Sequence, residues 1–186
     1  MYHIYLDIET LPGTRPAPED IPAPGNYKDP EKIRKYQEDK VEEEHRKQAL
    51  DSMQGEILCI GFAVGDKLPT CLYRDDINLH GEFEILTAFE HVLNKYPLGG
   101  FYLIGHNVKK FDLQWLWRKA IQYRLPNLAC LIPRHRYSEQ IQDTAELWAG
   151  PDFRDYTKLD DIASFLGIPG KDGMDGSQVY DYWLAG

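Results

Sequence analysis

The sequence lacks long hydrophobic runs, is poor in cysteine, and has too little positive charge to balance its acids. No apolar stretch approaches the roughly 20 residues that a membrane helix needs, so a soluble protein is expected. Cys59, Cys71 and Cys130 share no metal-ligand spacing and leave an odd one, which argues against a disulfide framework. Buried, reduced thiols in a cytoplasmic protein are the expectation. No basic-then-apolar signal segment opens the chain. Only 21 Lys and Arg stand against 30 Asp and Glu, a formal net charge of -9. That argues against a broad electrostatic grip on nucleic acid, but it leaves room for a local basic groove around an acidic site. There is no internal repeat. What remains is an ordinary globular composition, 42% hydrophobic and 27% charged over 186 residues, enough for one domain with a sizeable core.

The chain is organised around Tyr5-Leu6-Asp7-Ile8-Glu9-Thr10. Residues 1–9 read as a strand, and side chains on a strand alternate between faces, so Asp7 and Glu9 point one way and Leu6 and Ile8 the other. Two carboxylates side by side repel each other and resist desolvation. Their oxygens suit hard divalent ions, Mg2+ or Mn2+.

Five prolines between Pro12 and Pro24 make 11–29 an irregular excursion. Asp29-Pro30-Glu31 then opens a charged helix reaching about Met53, with only a thin apolar stripe, so that 11–53 is a Pro-rich and helical insertion. Residues 56–64 and 67–74 read as a hairpin turning at Gly65-Asp66, 81–96 as an amphipathic helix, 101–106 as a strand and 111–124 as a helix. Short strands are expected at Ala129–Leu131 and Gln140–Asp143. Thr157-x-x-Asp160 reads as a capping box opening a helix that stops at Gly167, and Ser177 as the cap of a last helix over 178–184. The order gives an α/β domain whose mixed sheet is antiparallel on one side and parallel on the other.

A second constellation is Ile104-Gly105-His106-Asn107-Val108-Lys109-Lys110-Phe111-Asp112. On local rules Asp112 is either a helix cap or a ligand. If the strand ending at Gly105 lies parallel beside the first, Asp112 emerges at the end where Asp7 and Glu9 point, and three carboxylates converge.

With these residues in place, Asp7-Ile8-Glu9-Thr10 resembles the first motif of the DEDD 3′–5′ exonucleases, which share the ribonuclease H-like fold. Asn107-x-x-x-Phe111-Asp112 resembles their second motif, in the form typical of family B DNA polymerase exonuclease domains. The stretch from Lys158 to Ser177 resembles stand-alone phage- or prophage-type members. The resemblance implies a ribonuclease H-like sheet of three antiparallel strands followed by parallel strands, flanked by helices. It also implies a two-metal hydrolase acting at the 3′ end of nucleic acid, DNA rather than RNA. Asp7 would bridge two ions, Glu9 would hold one, and Asp112 the other, directly or through water. Thr10 and Asn107 would contact the terminal nucleotide, with His106, Lys109 and Lys110 beside them. Phe111 would pack under the site or simply in the core.

The family's third motif, a helix with a Tyr or His and a fourth Asp, is expected just where the sequence reaches Gly186. Asp143, Asp160, Asp161, Asp175 and Asp181 are the acids left, with Asp160 and Asp161 read as helix caps and Asp172 and Asp175 as turn residues. His106 and His135 are the histidines to weigh as stand-in bases, against a hydrogen-bonded structural role for His106. The expectation is an activity weakened by truncation. The rivals are an inactive nucleic-acid-binding or regulatory module and a ribonuclease H-like endonuclease. For substrate grip, 101–136 sets Lys109, Lys110, Arg118, Lys119, Arg124, Arg134 and Arg136 against Asp112 alone. That is either a solvated face or an edge that tracks phosphates. Trp115, Trp117, Tyr123 and Tyr137 are available for base stacking or for the core.

Overall fold

The computed structural model describes residues 1–73, 79–135, 137–152, 156–170 and 176–186. The chain divides into two compact units, Met1–Glu9 with Ile57–Gln178, and Thr10–Glu56 with Val179–Gly186.

The first unit is built on one sheet. Among the described residues its strands are β1 (Tyr2–Leu11), β2 (Glu56–Val64), β3 (Thr70–Tyr73), β4 (Phe101–Gly105) and β5 (Ile141–Asp143), in the order β3-β2-β1-β4-β5. The β2–β3 hairpin is antiparallel, with Gly61 opposite Cys71. β2 also runs against β1: Gly65 N–H donates to the His3 carbonyl at 2.8 Å, and Gly61 lies against the Asp7 backbone. β4 is parallel to β1, pairing Tyr5 with Ile104, and β5 is parallel to β4. The expected mixed sheet is therefore present, antiparallel on one flank and parallel on the other.

Helices α2 (Leu79–Leu93) and α3 (Asp112–Gln122) cover one face of this sheet. Their apolar stripes, Leu86, Phe89 and Leu93 on one and Leu113, Leu116 and Ala120 on the other, join Ile4, Leu6 and Ile8 of β1 in the core. Full burial of such side chains contributes roughly 1.5–3 kcal/mol each. The period-two alternation of β1 is the origin of the site. Ile4, Leu6 and Ile8 are buried, whereas Tyr5 and Asp7 on the opposite face are exposed and Glu9 is half-buried.

Two expected elements differ. Ala129–Leu131 lies in a helix, α4 (Pro126–Leu131), because Pro126 occupies the first helical position, where its missing N–H and fixed φ favour helix. The Thr157-x-x-Asp160 capping box does not form. The helix here, α6 (Leu159–Phe165), has Lys158 as its cap residue with no side-chain cap bond, and the Thr157 carbonyl instead accepts from the His106 ring. A short helix not anticipated, α5 (Thr144–Ala149), follows β5 directly. The cysteines are free but not buried: Cys59 is half-buried, and Cys71 and Cys130 are exposed. Burial and the neighbouring Cys71 push the Cys59 thiol up to about 12.

In the second unit, α1 (Pro30–Lys47) is capped by Asp29, whose carboxylate accepts from Glu31 N–H at 3.0 Å. Its exposed ion pairs include Arg46–Glu42 at 2.8 Å and Lys47–Glu43 at 2.8 Å. Arg46 also reaches Asp181 of α7 (Val179–Ala185) at 2.6 Å, and the His45 ring stands edge-on to Tyr180. Among the described residues no helix is long and apolar enough to cross a membrane. Asp172, Asp175 and Arg136 lie outside the described residues.

Candidate active site

The parallel pairing of β1 and β4 brings the turn after β4 to the acidic end of β1. Gly105 makes this approach close: a Cβ there would stand 2.8 Å from the Leu6 carbonyl oxygen and 2.9 Å from Val108. The turn is held by Asn107, which adopts a left-handed backbone (φ 59°) and whose carbonyl accepts from the N–H groups of Lys110 and Phe111. Asn is one of the few residues with a side chain that tolerates this region well.

Asp112 follows as the first residue of α3, with Phe111 as the cap residue. Asp112 is 2% exposed, and its carboxylate accepts from Ile8 N–H at 3.0 Å. Ile8 is the residue between Asp7 and Glu9. Asp112 is therefore no simple helix cap; it is tied across to the acidic strand. Burial, the Asp7 charge and, to a smaller extent, Asp143 push its carboxyl up to about 7, against hydrogen bonds from its own backbone and from Ile8 that act the other way.

Asp143 is a buried acid beside this turn whose place the sequence reading missed. It is 3% exposed. One oxygen accepts from Asn107 N–H at 2.8 Å and Ala145 N–H at 3.1 Å, the other from Lys109 N–H at 3.0 Å. It thus caps α5 and clamps the turn leading to Asp112. The available signal was Asp143-x-x-Glu146, an N-cap residue with an acid three positions on.

The other expected site residues are placed as follows. Thr10 opens the second unit, where its hydroxyl donates to the Ala49 carbonyl at 2.5 Å, so its proton is already committed. The His106 ring is engaged at both nitrogens, Nδ1 with Thr144 Oγ1 at 3.0 Å and Nε2 with the Thr157 carbonyl at 2.9 Å. Nε2 must carry a proton to donate to a carbonyl, which makes His106 a structural histidine and a poor stand-in base. Phe111 is half-buried against Trp115 and the core. His135 is exposed beside Tyr137.

A hollow of about 590 Å³ opens on the Asp7 face, lined by Tyr5, Asp7, Phe62, His106, Tyr156 and Asp160 among others. Gly61 has no side chain to crowd Asp7, and Glu9 lies 3.7 Å from where a Cβ of Gly176 would stand. Among the described residues no three His, Cys, Asp or Glu side chains stand close enough together to form a ready metal cluster. The structure ties Asp112 of α3 to the Ile8 backbone, where it feels the Asp7 charge, and Glu9 shares the strand of Asp7.

Of the expected cations, Lys109, Lys110, Arg118 and Arg134 share a second hollow of about 770 Å³. Lys119 does not join them. It is 3% exposed and paired with Glu82 at 3.7 Å. Arg124 is exposed in a left-handed turn (φ 56°) and lines neither hollow.

A five-stranded sheet in the order β3-β2-β1-β4-β5, antiparallel on one flank, parallel on the other and flanked by helices, is a ribonuclease H-like fold. The same fold occurs in the family B DNA polymerase of the hyperthermophilic archaeon Pyrobaculum calidifontis, with a TM-score of 0.57 at 13% identity. The alignment covers 99% of this chain and 21% of the polymerase, so the chain spans about a fifth of that protein's length. No curated protein matches the chain. Residues 70–186 match the family described as predicted 3′–5′ exonucleases related to the exonuclease domain of PolB, and the chain belongs to that family.

Proposed function

We propose that the chain is a divalent-metal-dependent 3′–5′ exonuclease that hydrolyses terminal phosphodiester bonds of nucleic acid, with single-stranded DNA as substrate. One observation carries the reading: the Asp112 carboxylate is anchored at 3.0 Å on the backbone N–H of Ile8, between Asp7 and Glu9. The turn before Asp112 and the pleat of β1 are both arranged to gather like charges, which no requirement of folding explains.

The donor set fits hard divalent ions. Asp7 and Asp112 offer carboxylate oxygens, and burial first, with the Asp7 charge second, raises the Asp112 pKa. Asp7, Glu9 and Asp112 would hold Mg2+ or Mn2+, and the bound ions would neutralise charge on the phosphodiester and lower the pKa of the attacking water. The chain's own residues do the positioning. Asp143 fixes the turn before Asp112 and β1 presents Asp7 to the hollow. Asn107, Lys109 and Lys110 lie at the edge where a terminal nucleotide enters.

The test is release of the 3′-terminal nucleotide from a 3′-labelled single-stranded oligonucleotide with manganese, magnesium or chelator. Metal-stimulated release, lost in Asp7→Ala, is expected. Release that persists in Asp7→Ala would remove the site assignment. Tight binding of 3′ ends without cleavage would instead support an inactive binding module, and cutting of a circular strand an endonuclease.

A further inference from the structure

The basic hollow is separate from the carboxylate pair and differs from the rest of the chain in charge. Lys109, Lys110, Arg118 and Arg134 line it with His135, and Glu146 is the acid among them. The whole chain carries a net charge of -9, so this is a local reversal of sign. A polyanion is repelled over most of such a surface and concentrated where the sign changes.

Two of these cations, Arg134 and Lys109, are held in place. The Arg134 guanidinium lies over the Trp117 ring, 3.9 Å from its centroid. Lys109 is fixed twice, by its N–H on Asp143 at 3.0 Å and by its ammonium on Glu146 at 2.6 Å. Pre-placed charges lose less side-chain entropy on binding a phosphate. A further hollow of about 420 Å³ shares Lys109, Ile141 and Glu146 with the first and adds Tyr137, which is 78% exposed. Together the two form a furrow beside the edge strand β5, with cations along one stretch and an open aromatic ring on another. Cations that track a backbone combined with a ring on which a base can stack are the composition of a single-strand track. The furrow starts at Lys109 and Lys110, in the turn leading to Asp112.

We propose that this furrow binds the phosphate backbone of the single strand whose 3′ end lies at Asp7 and Asp112, Lys109 and Lys110 taking phosphates nearest the end and Arg118 and Arg134 those behind. The inference rests on the nuclease reading for the position of the 3′ end. Its test does not depend on cleavage.

Binding of a 5′-fluorescein oligothymidylate of about 20 nucleotides is followed by anisotropy in chelator over a series of salt concentrations. Arg118→Glu/Arg134→Glu is expected to raise Kd at least about tenfold and to reduce the salt slope by about 1.4, roughly 0.7 for each of two lost contacts to a single strand. Arg118→Gln/Arg134→Gln should raise Kd less and lower the slope in the same direction. Both residues are exposed, and circular dichroism checks that the variants fold. Lys32→Glu/Lys35→Glu, with the same charge change on α1, should leave Kd within about twofold. An unchanged slope in the Arg118/Arg134 variants would overturn the proposal. So would an equal loss in the Lys32/Lys35 variant, which would reduce the effect to net charge. Preference for a blunt duplex over the single strand would overturn the assignment of the occupant. Failure of metal-dependent cleavage with the furrow effects intact would strike the nuclease reading alone.

Discussion

Two buried carboxylates in the first unit have the same anchor and opposite company. Glu82 of α2 accepts from the N–H of Ile57 on β2 at 2.6 Å, and Asp112 of α3 accepts from the N–H of Ile8 on β1 at 3.0 Å. Both ride a helix on one face of the sheet, and both are almost fully buried. Glu82 is then completed by the protein: the Tyr123 hydroxyl donates at 2.7 Å and the Lys119 ammonium stands at 3.7 Å. Asp112 has Asp7 and Asp143 near it instead. Identical backbone chemistry therefore gives a finished structural pair in one place and, among the described residues, an acid with acidic neighbours in the other. The difference teaches where to look for function. It lies where burial has been accepted without a compensating charge.

The comparison is broken most directly by removing each acid in turn. Asp7→Ala and Asp112→Ala should each lower metal-dependent cleavage on the order of 10²–10⁴-fold, the range for losing one group at the reacting centre. Measured per folded molecule, Glu82→Gln should retain cleavage. Its effect falls on stability instead: leaving buried Lys119 without its carboxylate should cost about 3–5 kcal/mol, read from urea unfolding. If Glu82→Gln cleaved as poorly as Asp7→Ala while remaining folded, the division between the two acids would collapse.

A smaller effect separates them by pH. The Asp112 carboxyl sits at about 7 in the folded protein against roughly 3.9 unfolded, so the native state holds the extra proton between those values. The stability this group contributes is full below about pH 4 and is lost as pH rises through about 7. Asp112→Asn removes the titration while its amide oxygen can still accept from Ile8. Relative to wild type it should therefore gain stability as pH rises, by roughly 1–4 kcal/mol at pH 8. A stability difference flat from pH 4 to pH 8 would contradict the assigned shift. Divalent ions should do for wild type what the substitution does chemically. At about 100 times their Kd they would add about 2.7 kcal/mol, and Asp112→Asn should lose most of that gain.

Much of this contrast could be read in the sequence and some of it could not. Asp7 and Glu9 were legible because a strand has a strict period of two, which separates them from Leu6 and Ile8 without any tertiary knowledge. Asp112 was legible as a convergent acid once β4 was set parallel to β1. The Glu82–Lys119–Tyr123 cluster was not, because it joins two helices far apart in sequence and depends on how they pack. Lys119 therefore counted as a surface cation when it is a buried partner. Asp143 was misjudged for a different reason. Read as the end of a strand it looked like a leftover acid, although the spacing to Glu146 marks a helix start. Leu125-Pro126 carried the same kind of signal for α4. At α4 the cap was outweighed by a short run of strand-like residues, whereas Asp143 does end a strand, β5, as expected, and caps α5 as well.

The smallest effect sharpens the account of Asp112 itself. Its raised pKa has burial as the first cause, Asp7 as the second, and Asp143 behind them. The two neighbouring acids differ in what else they do. Asp7 faces the hollow, whereas both Asp143 oxygens already accept backbone N–H bonds. Asp7→Asn should therefore lower the Asp112 pKa visibly in a carboxyl-carbon titration by NMR. Asp143→Asn should lower it less, while costing about 1–3 kcal/mol because its amide nitrogen would oppose a backbone N–H. The reverse order, with Asp143→Asn giving the larger drop, would mean that the charge felt at Asp112 comes from the clamp on the turn and not from the acidic strand. Asp7 and Asp112 would then no longer be a pair built for a shared cation.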